Sequence, residues 1–299
     1  MRISIFGKVP GNNQDRELIK SLFADISKMY DSVLVWQPFF ESVKELLDEV
    51  SYIKTFTTKE ELADSTDILL SLGGDGTMLD TLDFVLGTDI AVLGINLGHL
   101  GFLTTAGRDD IRNLVKEIAD ADFTIEKRQI LSADFSFDCT GRRFAANEAC
   151  FLSTNRGSII DLEVFINDKY VSTFSGDGLL IATPTGSTAY SMSAGGPIIT
   201  PESRCLCLTP VAPHNLTFRP VIISDTDIIK VRIPRTEDSC KMLMDGYAVF
   251  ERTEGEIILK KAPYNWNLVR LVNQDFYFSI RNKLMWGQTP KHLSGNLTL

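Results

Sequence analysis

Residues 67–79, Asp-Ile-Leu-Leu-Ser-Leu-Gly-Gly-Asp-Gly-Thr-Met-Leu, spell out a strand, a glycine turn and a helix. Ile68, Leu69, Leu70 and Leu72 form the short apolar run of a buried strand. The run breaks at Gly73-Gly74-Asp75-Gly76, and Met78, Leu79, Leu82 and Val85 resume at helical spacing. In such a turn, glycines let the backbone approach a phosphate, and the amides of the turn and of the helix start supply donors. Asp75 stands at the mouth of that site. The same residues also suit a plain βα turn whose Asp caps the helix. Two better-known phosphate loops do not fit: there is no G-x-G-x-x-G, and Thr77-Met78 replaces the Lys-Ser/Thr of a P-loop.

The pattern around this stretch alternates strands and helices. Ile3–Phe6 reads as a strand; Leu18, Ile19, Leu22, Phe23 and Ile26 predict a helix over about 14–29; Ser32–Trp36 is a second strand. Val43, Leu46, Leu47 and Val50 predict a second helix, and Ile90–Ile95 is the strand after the glycine-turn helix. Alternation of this kind predicts a doubly wound, mostly parallel α/β domain over 1–124. Ligands of such sheets bind beyond the carboxyl ends of the strands, where Gly73–Gly76 lies. Past about residue 125 the rhythm changes to short alternating runs: Gln129–Asp138, Arg143–Ser153, Asp161–Asn167, Tyr170–Phe174, Leu179–Thr183, Ile228–Ile233 and Glu256–Lys261. Turn signals such as Cys139-Thr-Gly141, Asn167-Asp168 and Asp245-Gly246 separate them, predicting a β-rich, sandwich-like domain over 125–272. Phe276, Ile280 and Leu284 predict a closing helix.

With 39 acidic against 30 basic residues and a net charge of −9, nonspecific binding to nucleic acid or to a membrane surface is not expected as the main activity. No apolar run reaches the ~20 residues of a membrane span, and the first residues lack a signal-peptide core, so a cytoplasmic protein is expected. Five cysteines without a C-x-x-C pair, and three widely spaced histidines, give neither a zinc site nor a histidine metal centre.

A second constellation lies at 175–199. Between Thr183 and Gly196 nearly every residue is small or hydroxylated, and only Tyr190 and Met192 are large. Clustered hydroxyls beside glycines suit the polar edges of a nucleotide, with Tyr190 offering an aromatic face; a Ser/Gly surface loop has the same composition. Asn147-Glu148 sits between Ala145-Ala146 and Ala149-Cys150 in an apolar run. A buried carboxylate needs partners, and ribose hydroxyls are natural ones; a strand-end pair facing solvent fits equally. His99, among the four glycines of Gly94-Ile-Asn-Leu-Gly-His-Leu-Gly-Phe-Leu103, reads as structural.

Taken together, Gly73-Gly-Asp-Gly-Thr77, Gly94–Leu103, Asn147-Glu148, Asp177-Gly178 and Thr183-Pro-Thr-Gly-Ser-Thr-Ala-Tyr-Ser-Met-Ser-Ala-Gly-Gly-Pro197 resemble the NAD kinase family. Pro213-His-Asn-Leu-Thr-Phe-Arg-Pro220, Asp245-Gly246 and Arg281-Asn-Lys-Leu-Met-Trp-Gly287 extend the resemblance to the end of the chain. Gly-Gly-Asp-Gly-Thr alone is shared with phosphofructokinases and lipid kinases, whereas the long hydroxyl-rich stretch is specific to NAD kinases.

The resemblance implies phosphorylation of the adenosine-ribose 2′-hydroxyl of NAD, with ATP, or polyphosphate in some members, as donor. It implies a divalent cation such as magnesium, a homodimer or homotetramer, and a final segment, about 273–292, that returns to the first domain. Asp75 would be the general base. Gly73, Gly74 and Gly76 would hold the phosphate side through amides, Asn147 and Glu148 the adenosine ribose, and Asp177 a further part of the dinucleotide. Thr188, Ala189, Tyr190, Ser191, Met192 and Ser193 would line the pocket. Three positions depart from the pattern of many members: Asp80 replaces a basic residue, Ser175 an arginine and Tyr247 a glutamine. The competing readings are a lipid or sugar-phosphate kinase of the same glycine-loop group, and a sensor that binds the dinucleotide without turnover.

Overall fold

A computed structural model describes every residue except 99–100, 108–110, 156–157, 236–237, 272–274 and 288–299. The chain divides into two compact units, Met1–Glu126 with the segment that begins at Asn267, and Lys127–Trp266.

In the first unit, β1 (Ile3–Gly7), β2 (Val33–Trp36), β3 (Ile53–Phe56), β4 (Ile68–Leu72) and β5 (Ala91–Ile95) form a parallel sheet in the order β3-β2-β1-β4-β5. Asn267 and Leu268, near the end of β16 (Gly255–Leu271), add a further parallel pairing beside β5. β1, β4 and β5 are buried along their whole length, as strands covered on both faces must be. The strand order reverses between β1 and β4, which is where a sheet of this topology opens a ligand crevice. The glycine turn follows β4 at that point, and Lys8 follows β1.

Helix α1 (Asn13–Met29) carries Ile19, Leu22, Phe23 and Ile26 into the core, and the Asn12 side chain caps it by accepting from the Asp15 amide at 2.9 Å. The helix expected from Val43, Leu46, Leu47 and Val50 is displaced. α2 runs Gln37–Val43, with Pro38 in its first turn and Phe39 and Val43 buried, and tightens into a 3-10 turn over Lys44–Leu46. The Pro starts the helix earlier than the apolar spacing suggests. β3 and α3 (Lys59–Ala63) follow, the latter with a Thr58/Glu61 capping box. The single helix expected after the glycine turn is two short pieces, α4 (Asp75–Asp80) and α5 (Leu82–Val85), joined at Thr81, whose hydroxyl donates to the Met78 carbonyl at 2.6 Å. α6 (Ile111–Ala119), not anticipated, places Ile111, Leu114, Val115 and Ile118 in the core at helical spacing. α8 (Phe276–Leu284) forms as expected and belongs to this unit.

The second unit is β-rich and antiparallel. β6 (Phe123–Phe135), β7 (Phe144–Ala145), β8 (Glu148–Ser153), β9 (Ile160–Ile166), β10 (Lys169–Ala182), β11 (Cys205–Pro213), β12 (Val221–Ser224), β13 (Ile229–Ile233), β14 (Cys240–Met244), β15 (Tyr247–Arg252) and most of β16 surround one apolar cluster. The runs Tyr170–Phe174 and Leu179–Thr183 are one strand, β10. Gly176 and Gly178 do not break it; a Cβ at either would press into the backbone of β11 or β8. Asn167-Asp168 and Asp245-Gly246 are two-residue hairpin turns at positive φ, as expected. β11, β12, β14 and β15 were not anticipated. Among the described residues no helix is long and apolar enough to cross a membrane.

Candidate active site

Asp75 opens α4 at the carboxyl end of β4 and is partly exposed. Its carboxylate is gripped from the far side of the turn. The Phe102 amide donates to Oδ2 at 2.7 Å, and the Leu103 and Thr104 amides donate to Oδ1 at 3.1 and 3.3 Å. A carboxylate offers about four acceptor positions, so this cradle leaves roughly one, on Oδ2, for a ligand hydroxyl. The cradle is itself anchored: the Thr104 hydroxyl accepts from the Gly101 amide at 2.8 Å and from Asn96 Nδ2 at 3.3 Å, and Thr105 and Ala106 amides both donate to the Gly94 carbonyl at 3.0 Å. Gly101 passes so close that a Cβ there would overlap the Asp75 carboxyl group.

The glycines divide their work. The Gly73 amide donates to the Ile95 carbonyl at 2.9 Å, so Gly73 holds the turn onto β5 rather than offering a donor. Gly74 is the N-cap, among the described residues no side chain caps this helix end, and the first-turn amides that follow have no acceptor inside the helix. Positive charge reaches the turn from Lys8, missed in the sequence although it is the first residue beyond β1. A Cβ on Gly76 would lie 3.8 Å from its ammonium, which also stands 3.4 Å from Asp80 Oδ2. The charge absent at position 80 is thus supplied from a neighbouring strand. His99 lies outside the described residues.

In the second unit, Asn147 sits in the break between β7 and β8. Its amide donates to Asp245 Oδ1 at 2.7 Å and its carbonyl accepts from the Thr183 amide at 2.8 Å. Asp245, at the positive-φ corner of the β14–β15 turn, also receives the Ala146 and Glu148 amides at 2.7 and 3.1 Å. Asn147 and Glu148 are therefore clamped by their backbones, leaving both side chains for other work. Glu148 is 8% exposed, and among the described residues its Oε2 has no hydrogen-bond partner. Burial, then the nearby Asp245 charge, pushes its pKa up to about 8, against which the Tyr190 amide acts. Burial pushes Asp245 up to about 6, opposed by its three amides and by Arg142. With three donors, Asp245 is the member that holds the negative charge, and Glu148 keeps its proton at neutral pH.

The hydroxyl-rich stretch splits in two. Thr183 through Ser187 are buried with their hydroxyls engaged, Thr183 donating to the Ala146 carbonyl and Ser187 Oγ to the Pro184 carbonyl at 2.7 Å. Ser191, also expected to line the pocket, is buried with Oγ 2.8 Å from the Thr209 hydroxyl. Its role is to hold α7 (Tyr190–Ser193) on β11. Thr188, Ala189, Met192 and Ser193 keep partial or full exposure, and Tyr190 is 40% exposed. The Tyr190 hydroxyl is pushed up mainly by desolvation and further by Cys150, Asp177 and Glu148, so these side chains share one neighbourhood. Asp177 is exposed on β10.

Gly186 locks this arrangement, since a Cβ there would meet the Asn147 Cα at 2.8 Å. Gly186→Ala is expected to cost about 1–3 kcal/mol of stability and to weaken dinucleotide binding; unchanged melting and NAD titration curves would contradict this packing.

A carboxylate cradled beside helix-start amides, at the reversal point of a parallel sheet, suits a phosphotransferase of the glycine-loop kind. The ATP-NAD kinase N-terminal domain family matches residues 18–123, and the ATP-NAD kinase C-terminal domain family matches 146–271. The NAD kinase of Flavobacterium psychrophilum is 35% identical over 295 residues, covering 98% of this chain and all of that protein. That of Porphyromonas gingivalis is 35% identical over 286 residues, covering 96% and 98%. Among solved structures, yeast NADH kinase complexed with NADH superposes with a TM-score of 0.86 at 25% identity, covering 97% of this chain and 89% of that one. An Archaeoglobus fulgidus NAD kinase in complex with ATP gives 0.72 at 25% identity, covering 95% and 99%. The chain belongs to the NAD kinase family, enzymes that transfer a phosphoryl group to NAD.

Proposed function

We propose that this enzyme transfers the terminal phosphoryl group of ATP to the adenosine-ribose 2′-hydroxyl of NAD, giving NADP, with Asp75 as the general base. The observation that carries this reading is the Asp75 cradle: three amides fix the carboxylate and leave one acceptor position open. A base positioned in this way typically contributes ~10²–10⁴-fold, and positioning together with charge neutralisation supplies most of the rest in phosphoryl transfer. Gly74 and Gly76 offer amides to phosphate, with Lys8 adding positive charge. Asn147 and protonated Glu148 hold ribose hydroxyls, Glu148 as a donor through its otherwise unpartnered oxygen. Asp177, Thr188, Ala189, Tyr190, Met192 and Ser193 line the dinucleotide, while Gly73 and Ser191 keep their segments in place.

Magnesium ordinarily binds through substrate phosphates and one or two carboxylates, and Asp80 is the carboxylate that α4 carries besides the base. A magnesium ion chelated by ATP fits that donor set and would neutralise phosphate charge. We infer a homo-oligomer on the family resemblance, and keep the cytoplasmic placement expected from the sequence. A competition assay with NAD, diacylglycerol and fructose 6-phosphate tests the acceptor: only NAD should consume ATP. Phosphorylation of either other compound would favour another glycine-loop kinase, and binding of NAD without turnover a sensor.

The protonated state of Glu148 has its own consequence. Because its folded pKa lies above the ordinary carboxyl value, the folded state binds the extra proton between about pH 4.5 and about 8, so stability of the free protein falls as pH rises through that window. Glu148→Gln should flatten the fall in melting temperature across it. Parallel wild-type and variant profiles would contradict the assignment.

A further inference from the structure

The segment Arg281–Gly287 belongs to the family resemblance, yet nothing in the reading above gives it a task. Within it, Lys283 lies on α8, which is anchored by the buried Ile280 and capped where Asp275 accepts from the Phe278 amide at 2.5 Å. The Lys283 ammonium sits 4.7 Å from the centre of the Phe102 ring. Phe102 is the residue whose amide makes the shortest bond to the Asp75 carboxylate, at 2.7 Å. Lys283 is partly buried, and among the described residues no carboxylate reaches ion-pair distance of its ammonium. The nearby Arg270 is already paired with Glu126 at 2.5 Å. Desolvation draws the Lys283 pKa down, the Asp75 charge opposes this, and Arg270 adds to it.

A half-desolvated ammonium with a ring face on one side has donors to spare, and its compact charge suits a tetrahedral anion. We propose that Lys283 is a catalytic cation, its ammonium meeting the phosphoryl group as it passes from ATP to the ribose 2′-oxygen held at Asp75. This rests on Asp75 being the base. In the transfer, the ribose 2′-oxygen bonds to the terminal phosphorus as the bond from that phosphorus to ADP breaks. The hydroxyl proton passes to Asp75, and the bonding electron pair leaves with ADP. Lys283 keeps its proton throughout and donates to the phosphoryl oxygens, where negative charge spreads. It joins the last helix of the chain to the chemistry.

Lys283→Met keeps the aliphatic stem against Phe102 and removes the charge; Lys283→Arg restores it. Both variants would be assayed with ATP, magnesium and NAD, with NAD and ATP affinity measured by calorimetry and folding by thermal melting. The methionine variant should lose about 10²–10³-fold in kcat and bind ATP more weakly, with NAD affinity and melting unchanged, and the arginine variant should recover at least about tenfold of that loss. Near-wild-type kcat in the methionine variant overturns the proposal. So does a loss of activity accompanied by equal losses of NAD binding and stability, which marks a structural role. If the wild-type protein run alongside forms no NADP, the base reading itself falls and this proposal with it.

Discussion

Asp75→Asn is expected to lower NADP formation by about 10²–10⁴-fold, the contribution of a positioned base, while NAD still binds. Asn matches Asp in shape but cannot take a proton. Its amide nitrogen must also face donors: with its oxygen toward Phe102, the nitrogen points at the Leu103 and Thr104 amides. One or two cradle bonds are therefore lost, costing about 1–2 kcal/mol of stability, which a melting curve reads separately from the rate. A variant that keeps more than about a tenth of the wild-type rate would show that the hydroxyl proton leaves by another route.

Gly101→Ala is expected to be almost as damaging and for a different reason. A methyl group at 101 occupies the space of the Asp75 carboxyl group. The backbone at 101 is tied to Thr104 and cannot withdraw cheaply, so the carboxylate is what moves. Displacement of a reacting group by about 1 Å can cost about 10²-fold in kcat, and the cradle bonds the carboxylate gives up should lower the melting temperature at least as much as in Asp75→Asn. In the double variant Gly101→Ala, Asp75→Asn the two losses should not add, because the second change removes what the first one displaces. Full additivity would mean that Gly101 acts on something other than Asp75.

The contrast between what could and could not be read in the sequence follows from which groups do the work. The strand, glycine turn and helix start at 68–80 were legible because apolar runs and glycines are residue-type signals, and the parallel first unit followed from the same alternation. The cradle was not, because its donors are main-chain amides of Phe102, Leu103 and Thr104, more than 25 positions from Asp75, and an amide leaves no mark on composition. Gly101 stood in a glycine-rich motif, but nothing local says which side chain it avoids. The stretch 183–187 is ambiguous for a related reason: hydroxyls that bond main-chain carbonyls in a buried turn have the same composition as hydroxyls that face a ligand. Gly176 and Gly178 read as a break and are instead a close approach of neighbouring strands. α6 was written in plain periodicity and could have been found. Lys8 and Asp80 show a charge relocated from one element to another, visible only once β1 and β4 are known to be neighbours.

The most direct measurement is a crystal structure of the Asp75→Asn variant with NAD and ATP bound, in which the slowed reaction leaves both substrates intact. The account predicts the adenosine-ribose 2′-oxygen within about 3 Å of the side chain at position 75, on the oxygen that also accepts from Phe102. A 2′-oxygen well beyond hydrogen-bond reach of that side chain, with residue 75 contacting only phosphate, would contradict the assignment of Asp75 as the base.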